Sequence, residues 1–330
     1  MKPIASLSLD LDNEWSYLKT RGDPAWEAMP SYLDRVVPRV LEILARRGLR
    51  ITFFVVGLDA ALEKNRDALG KLARAGHEIG NHSLRHEPWL HLYSEEELER
   101  ELAEAEAHIE AATGRRPDAF RGPGYSLSET TLRVLLRRGY RYDASTFPTF
   151  LGPLARAYYF MTAKLDPEER RKRAGLFGSV RDGLRPLRPY RWQLAGGTML
   201  EIPVTTLPFF RVPIHLSYVL YLNVFSPMLA RAYFETAMRV CRLAGVEPSI
   251  LLHPLDFLGA EDVPSLAFFP AMRSSAAPKL ELVEHCFARM QALFDVRSLG
   301  EHATASLARS DLPVVTPRFR PAPPATGDGR

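Results

Sequence analysis

His82 and His86, in the run His82-Ser83-Leu84-Arg85-His86, stand four residues apart, a spacing that lets two imidazoles grip one divalent cation from a turn or a helix face. Among nine histidines such a pair is weak evidence alone. Asp10 and Asp12 strengthen it. They sit at period two, on one side of an extended segment that is otherwise apolar. Two like charges buried side by side are costly unless a cation or a basic partner is present. Carboxylates and imidazoles in this combination are the equipment of metal-assisted hydrolysis. Arg121, Asp143 and His253 are further polar residues that each fall at the end of a segment reading as a strand.

The segments that must position these residues are legible from periodicity. Ile4 to Leu9 reads as a core strand. Leu33, Val36, Val37, Val40, Leu41 and Leu44 recur at helical spacing up to Gly48, and Ile51 to Val56 follows as a buried strand. The order helix, glycine, strand then recurs at Gly76, Gly139 and Gly245, before strands at 77–80, 140–144 and 249–252. A helix from Ser94 to Ala112 opens with Ser94 and Glu97 at capping-box spacing and feeds Ala119-Phe120-Arg121. This βα alternation predicts a parallel sheet. Asp10, Asp12, His82, Arg121, Asp143 and His253 all fall at carboxyl ends of predicted strands, where such folds assemble active sites.

Composition narrows the alternatives. The chain has 330 residues, a formal net charge of +4 and 46% hydrophobic residues, enough for a full-sized core. Basic residues are interspersed with Glu, so a mixed solvated surface is expected and no nucleic-acid partner. Cys241 and Cys286 lie in apolar helical patterns, which predicts neither a disulfide framework nor a thiolate metal site. Met1-Lys2-Pro3 runs directly into the first strand, too short for a secretory signal, and a cytoplasmic location is expected, with peripheral contact at the inner membrane surface as its extension. The apolar stretch Leu207 to Ala232 is interrupted by Arg211, Pro213, His215, Asn223 and Pro227, so no transmembrane helix is expected.

These motifs together resemble the polysaccharide deacetylase family, also known as the NodB-homology or carbohydrate esterase four family. Ser8-Leu9-Asp10-Leu11-Asp12 is similar to its opening element, His82 to His86 to its His-Ser/Thr-x-x-His element, Arg121-Gly122-Pro123 to its Arg-x-Pro element, and Leu251-Leu252-His253 to its closing Leu-x-His. The resemblance implies a distorted, incomplete (β/α)7-type TIM-like barrel over residues 1–310, with an irregular insertion at about 147–230; residues 311–330 read as a disordered tail. It implies that Asp12, His82 and His86 hold one divalent ion, zinc first, with cobalt, nickel, manganese or iron as alternatives. Asp10 would be the general base, held by Arg121, and His253 the general acid, paired with Asp143. Pro123, Tyr125 and Leu251 would line the substrate site, with a backbone N–H near Tyr125 meeting the oxyanion.

The implied reaction is removal of an N-acyl group, usually acetyl, from an amino sugar, in a free, nucleotide-linked or lipid-linked form. A deformylase of a lipid-linked formamido sugar, a cyclic amide or imide hydrolase of the same family, and a non-catalytic carbohydrate-binding module are the alternatives. Two departures bear on substrate: the opening element is Asp-Leu-Asp rather than adjacent aspartates, and Asp143 is followed by Ala144 to Phe147 with no tryptophan. The acyl groove is then expected from Phe147, Leu251 or Leu255. Glu14, Trp15, Tyr17, Trp89 and Asp256 lie beside the expected mouth, where they could meet a sugar or simply pack.

Overall fold

The computed structural model describes residues 2–152 and 180–319. Ten strands form one sheet: β1 (Ile4–Asp10), β2 (Thr52–Val55), β3 (Glu78–Asn81), β4 (Ala119–Phe120), β5 (Tyr142–Asp143), β6 (Tyr190–Leu194), β7 (Gly197–Glu201), β8 (Ser249–Leu252), β9 (Asp295–Ser298) and β10 (Val314–Val315). Spatial order is β10-β6-β7-β5-β4-β3-β2-β1-β8, with β9 added along the N-terminal half of β1. From β8 to β7 every pairing is parallel. The parallel α/β sheet expected from the βα alternation is therefore present.

Among the described residues no ladder joins β7 to β8. The two ends meet just past β7, where the Thr205 N–H donates to the Ser249 carbonyl at 2.9 Å and Thr205 Oγ1 accepts the Ser249 N–H at 2.8 Å. β1 and β2 are almost wholly buried, as parallel strands covered by helices require, with Ser6, Ser8 and Asp10 on one side of β1. Helix Leu33–Arg47 turns its Val36, Val37, Val40 and Leu44 inward and ends in left-handed Gly48.

The expected insertion and tail need revising. β6 and β7 form an antiparallel hairpin whose second strand pairs with β5, so Gly197–Glu201 belong to the sheet itself. Residues 153–179 of that segment lie outside the described residues. The tail expected to be disordered begins with order: Val314 and Val315 pair with Arg191 and Trp192, and the Phe319 ring lies 5.7 Å from that of Trp192. Backbone pairing and an aromatic anchor supply what the Pro-rich composition concealed; residues 320–330 lie outside the described residues. No described helix is long and apolar enough to cross a membrane.

The short helix Gly57–Ala61 packs against the long helix Glu95–Thr113. A Cβ built on Gly57 would stand 2.8 Å from the Ala105 Cα, so the contact is backbone to backbone and has no room to relax. Gly57→Ala should lose about 1–3 kcal/mol of stability through overpacking, read as a lower urea midpoint at unchanged slope.

Candidate metal and hydrolytic site

At the carboxyl end of the sheet Asp10, Phe54 and Gly80 are neighbours in register on β1, β2 and β3. Gly80 has no side chain, and a Cβ there would meet the Phe54 ring at 2.6 Å, so the glycine makes the space that ring occupies. The buried Arg121 guanidinium lies 4.4 Å from the ring centre and stacks on its face. From there its Nη1 donates to Asp10 Oδ1 at 2.7 Å and to Ser8 Oγ at 2.8 Å, while Nε donates to the Ala144 carbonyl at 2.8 Å. The Asp10 carboxylate is thus fixed through one oxygen. Its other oxygen stands 3.8 Å from His82 Nε2.

Asp12, His82 and His86 each offer a ligand atom, and the three atoms lie within 4.8 Å of one another. His82 Nε2 and His86 Nε2 stand 3.3 and 3.0 Å from Asp12 Oδ1. His82 Nδ1 is 2.6 Å from the Arg121 carbonyl, to which it must donate; the neutral ring then presents an unprotonated Nε2 toward Asp12. Burial pushes the Asp12 carboxyl up, but positive charge on His86 and His82 overrides it and holds the group well below the usual carboxylate range. Burial pulls His82 down, and Asp10 and Asp12 more than offset it, leaving His82 above its ordinary value. One carboxylate and two imidazoles converging on a common buried point, with Asp12 Oδ1 lacking a hydrogen-bond donor, fit a divalent cation.

The loop bearing both histidines is strained and pinned. Ser83 and His86 adopt positive φ values of 64° and 54°. Gly57 and Leu58 donate N–H bonds to the Ser83 and Leu84 carbonyls at 2.8 and 2.9 Å, and the buried Glu101 Oε1 accepts from the Leu84 and Arg85 N–H groups at 3.0 and 2.9 Å. Asp12 is fixed from the other side. Tyr32 Oη donates to its carbonyl at 2.5 Å. Asn13 caps the next helix and donates to Asp59 Oδ1 at 2.7 Å. Burial raises Asp59 to about 7 against the opposing bonds from Asn13 and Trp15. Glu101, Tyr32 and Asp59 were invisible as site residues because each acts through backbone or a neighbour, although Glu101 is a charge on the buried face of its helix pattern, and that is a readable signal.

His253 follows β8, and its Nδ1 lies 3.0 Å from Ser217 Oγ, which in turn donates to Asp256 Oδ1 at 2.8 Å. Asp256 Oδ2 accepts the His253 N–H at 2.8 Å. With the serine proton given to Asp256, the His253 Nδ1 must donate and Nε2 is the exchangeable position. Burial raises the Asp256 carboxyl, against the lowering effect of His253. The pairing expected between His253 and Asp143 is not what the structure contains. Asp143 stands opposite Glu201 in the β5–β7 register, so both side chains share one face. Ser145 Oγ donates to Asp143 Oδ1 at 2.6 Å. Glu201 accepts from Thr146 N, Thr146 Oγ1 and Trp192 Nε1. Burial first, then the Glu201 carboxyl, pushes Asp143 well above the ordinary range, so it is the member that keeps its proton.

Tyr125 adopts φ 63° and its ring stacks on Phe147 at 4.7 Å, but its N–H donates to the Gly122 carbonyl at 2.9 Å and is committed to the turn rather than aimed at an oxyanion. Leu251 and Pro123 are buried. His215 is a residue the sequence did not single out. It is buried, 5.5 Å from Phe147, 4.5 Å from Tyr218 and 5.9 Å from His253 by ring centres. Burial, with His253 and Arg121 nearby, holds it well below its usual value and therefore neutral.

Residues 25–142 match the family model described as polysaccharide deacetylase. The chain is 29% identical over 109 residues to a peptidoglycan deacetylase of Helicobacter pylori, covering 33% of this chain and 36% of that one. It is 29% identical over 111 residues to a peptidoglycan-N-acetylmuramic acid deacetylase of Bacillus subtilis, covering 33% and 41%. Across the relatives matched here the chain spans about a third to a half of their length, 36%, 53% and 47% in three cases. In fold it is similar to a Mycobacterium smegmatis protein assigned as a polysaccharide deacetylase, with TM-score 0.64, 20% identity and coverage of 97% and 96% of the two chains.

Two expectations follow from this geometry. Glu101→Ala leaves two loop N–H groups without their acceptor and should weaken retention of a bound divalent ion about 10–100-fold in chelator competition, with Glu101→Gln intermediate. Because Asp143 has a raised pKa in the folded protein, its stabilising contribution is complete below the unfolded carboxyl value of about 4 and is lost as pH rises through the folded value. Asp143→Asn should therefore flatten the decline of urea stability between acid and neutral pH, a change visible as converging wild-type and variant midpoints on acidification.

Proposed function

We propose that the chain is a member of the polysaccharide deacetylase family, whose model matches residues 25–142, and that it is a divalent-metal-dependent hydrolase that removes the N-acetyl group of an amino sugar. The observation that supports this reading best is the convergence of Asp12, His82 and His86 beside an arginine-held Asp10. We read the surrounding fold as a distorted, incomplete (β/α)7 barrel and the mouth at the carboxyl ends of its strands as the substrate site.

In this reading Asp12, His82 and His86 hold the cation, which would supply Lewis acidity toward the amide carbonyl and a more acidic water. Zinc suits the donor set best, and cobalt, nickel, manganese and iron also fit it. Asp10 takes the proton of the attacking water on the oxygen that Arg121 leaves free. Arg121 orients that carboxylate. His253 donates from Nε2 to the departing amine, so that the sugar leaves as a neutral amine rather than an amide anion. Ser217 and Asp256 orient the ring, the place expected for Asp143. Tyr125, Phe147 and His215 supply an aromatic wall on which the acyl methyl and sugar face would rest.

The finer substrate reading is a small, nucleotide-linked or lipid-linked glycan precursor handled in the cytoplasm, with a deformylase of a formamido sugar and a cyclic imide hydrolase as the alternatives that the Asp-Leu-Asp spacing keeps in view. A non-catalytic binding module would have no use for Asp10 and His253 ending the paired strands β1 and β8, each with its own supporting bonds.

The test is metal analysis of the purified protein together with acetate or formate release from a panel of free, nucleotide-linked and lipid-linked N-acyl amino sugars and a cyclic imide. Near-stoichiometric metal is expected in the wild type and in Asp10→Asn, with loss in His82→Ala. Acetate release should fall about 10²–10⁴-fold in Asp10→Asn and in His253→Ala. Wild-type turnover of the imide alone would replace the sugar reading, and full metal with turnover of no panel member would count against amide hydrolysis.

A further inference from the structure

Between Glu201 and Glu235 the chain carries no acidic residue, and its only formal charges are Arg211 and Arg231. This acid-free stretch contains two protruding tips. In the first, Leu207 and Val212 close a turn by the bond from Leu207 N to Val212 O at 2.8 Å, and Thr206 bridges Pro213 below it. Phe209 and Phe210 stand at its head, 80% and 71% exposed. Phe209 and Arg211 there hold positive φ values of 70° and 57°, an arrangement no buried contact of those two phenylalanines repays. The second tip joins helix Leu216–Phe225 to helix Pro227–Leu243, where Phe225 and Met228 are 82% and 80% exposed and Val224 and Leu229 about half exposed. Tyr233 Oη donates to the Pro213 carbonyl at 2.7 Å and ties the stem of the first tip to the second helix of the hairpin.

Single exposed leucines need no explanation, but clustered exposed aromatics on two structured tips, in a segment purged of acids, do. We propose that these tips form a peripheral membrane-binding face whose partner is an anionic lipid bilayer. The phenylalanines and Met228 enter the boundary between headgroups and acyl chains, the exposed Arg231, with Glu281 3.9 Å away, meets the phosphates, Arg211, whose Nη1 donates to the Arg185 carbonyl at 2.9 Å, adds positive charge beside the first tip, and the segment itself brings no carboxylate to repel them. A bilayer accounts for the charge pattern, whereas a second copy of a chain with apolar tips would need no such bias. Helix Leu216–Phe225 also places the face relative to the chemistry: Ser217 in its first turn bonds His253, and Phe225 ends it about 12–15 Å away at 1.5 Å per residue. The bilayer would therefore stand beside the mouth and present headgroup-level substrates to it. That last consequence rests on the amide-hydrolase reading; the lipid binding does not.

The experiment is co-sedimentation of the full chain with vesicles of phosphatidylglycerol and phosphatidylcholine in equal parts, against phosphatidylcholine alone. It is run for the wild type, for Phe209→Ser/Phe210→Ser, for Phe225→Ser/Met228→Ser and for Arg211→Gln/Arg231→Gln, with metal content and light-scattering mass measured on each. Binding to the anionic vesicles is expected in the wild type, at least five-fold weaker in each apolar double variant and in the arginine variant, with metal content and monomer mass unchanged. Equal sedimentation of wild type and variants, or no sedimentation above the lipid-free control, would overturn the proposal. So would a wild-type dimer that the serine variants dissociate, since a second copy would then cover the tips. Vesicle binding without hydrolysis of any N-acyl sugar would retain the membrane face and remove the amide-hydrolase reading.

Discussion

The Arg121–Asp10 pair is the constraint on which the rest of the site is arranged. A guanidinium with no exposure costs several kcal/mol to desolvate unless nearly every N–H finds a partner. Three oxygens, from Ser8, Asp10 and Ala144, meet it at 2.7–2.8 Å, and the Phe54 face covers it. Only Nη2 lacks a partner. The same residue's carbonyl receives the His82 Nδ1 proton. One arginine thus orients the candidate base through its side chain and a candidate ligand through its backbone, so a displacement of β4 would disturb both together.

Much of this was legible because the chemistry coincides with periodicity. Asp10, Asp12, His82, Arg121 and His253 end segments that the helix, glycine, strand alternation marks as strands, and parallel strands aligned by helix crossovers must bring their carboxyl ends to one side. What stayed hidden was lateral. The sequence around Asp143 says that a carboxylate ends a strand; it cannot say that Glu201, nearly sixty residues on, enters the sheet beside it, because that depends on the hairpin through β6. The support of His253 was misassigned for the same reason. Ser217 belongs to a helix start with no spacing signature relative to His253, whereas Asp256 follows it by three residues, at capping spacing, and was read only as a neighbour of the mouth. At the chain's end, a Pro-rich composition that reads as unstructured still supplies two residues of strand and an aromatic ring.

Buried acids recur in this protein and are handled in two ways. Asp10 and Asp12 are compensated by cationic or cation-binding partners, whereas Asp143 and Asp59 are buried with dipoles and carboxyls around them and are driven toward neutrality. The distinction sorts function from scaffold. At Asp10 the buried partner is the Arg121 guanidinium, 2.7 Å from one carboxylate oxygen. A carboxyl that knits Ser145 or Asn13 into the walls of the site can do so as a protonated group, at the cost of a stability that depends on pH.

The support of His253 and one of the exposed apolar tips belong to one element. Ser217, which fixes the His253 ring, sits in the first turn of a ten-residue helix whose last residue is Phe225. A helix of that length is stiff along its axis, so its two ends cannot be repositioned independently. Its inner face, Leu216, Val219 and Leu220, is packed in the main core, which leaves translation along the axis as the costly motion and makes the tip a fixed extension of the site wall. Contacts made at Phe225 therefore bear on the same helix that holds the serine, and the geometry at His253 and the surface at that tip are determined together by how that one helix seats against β8.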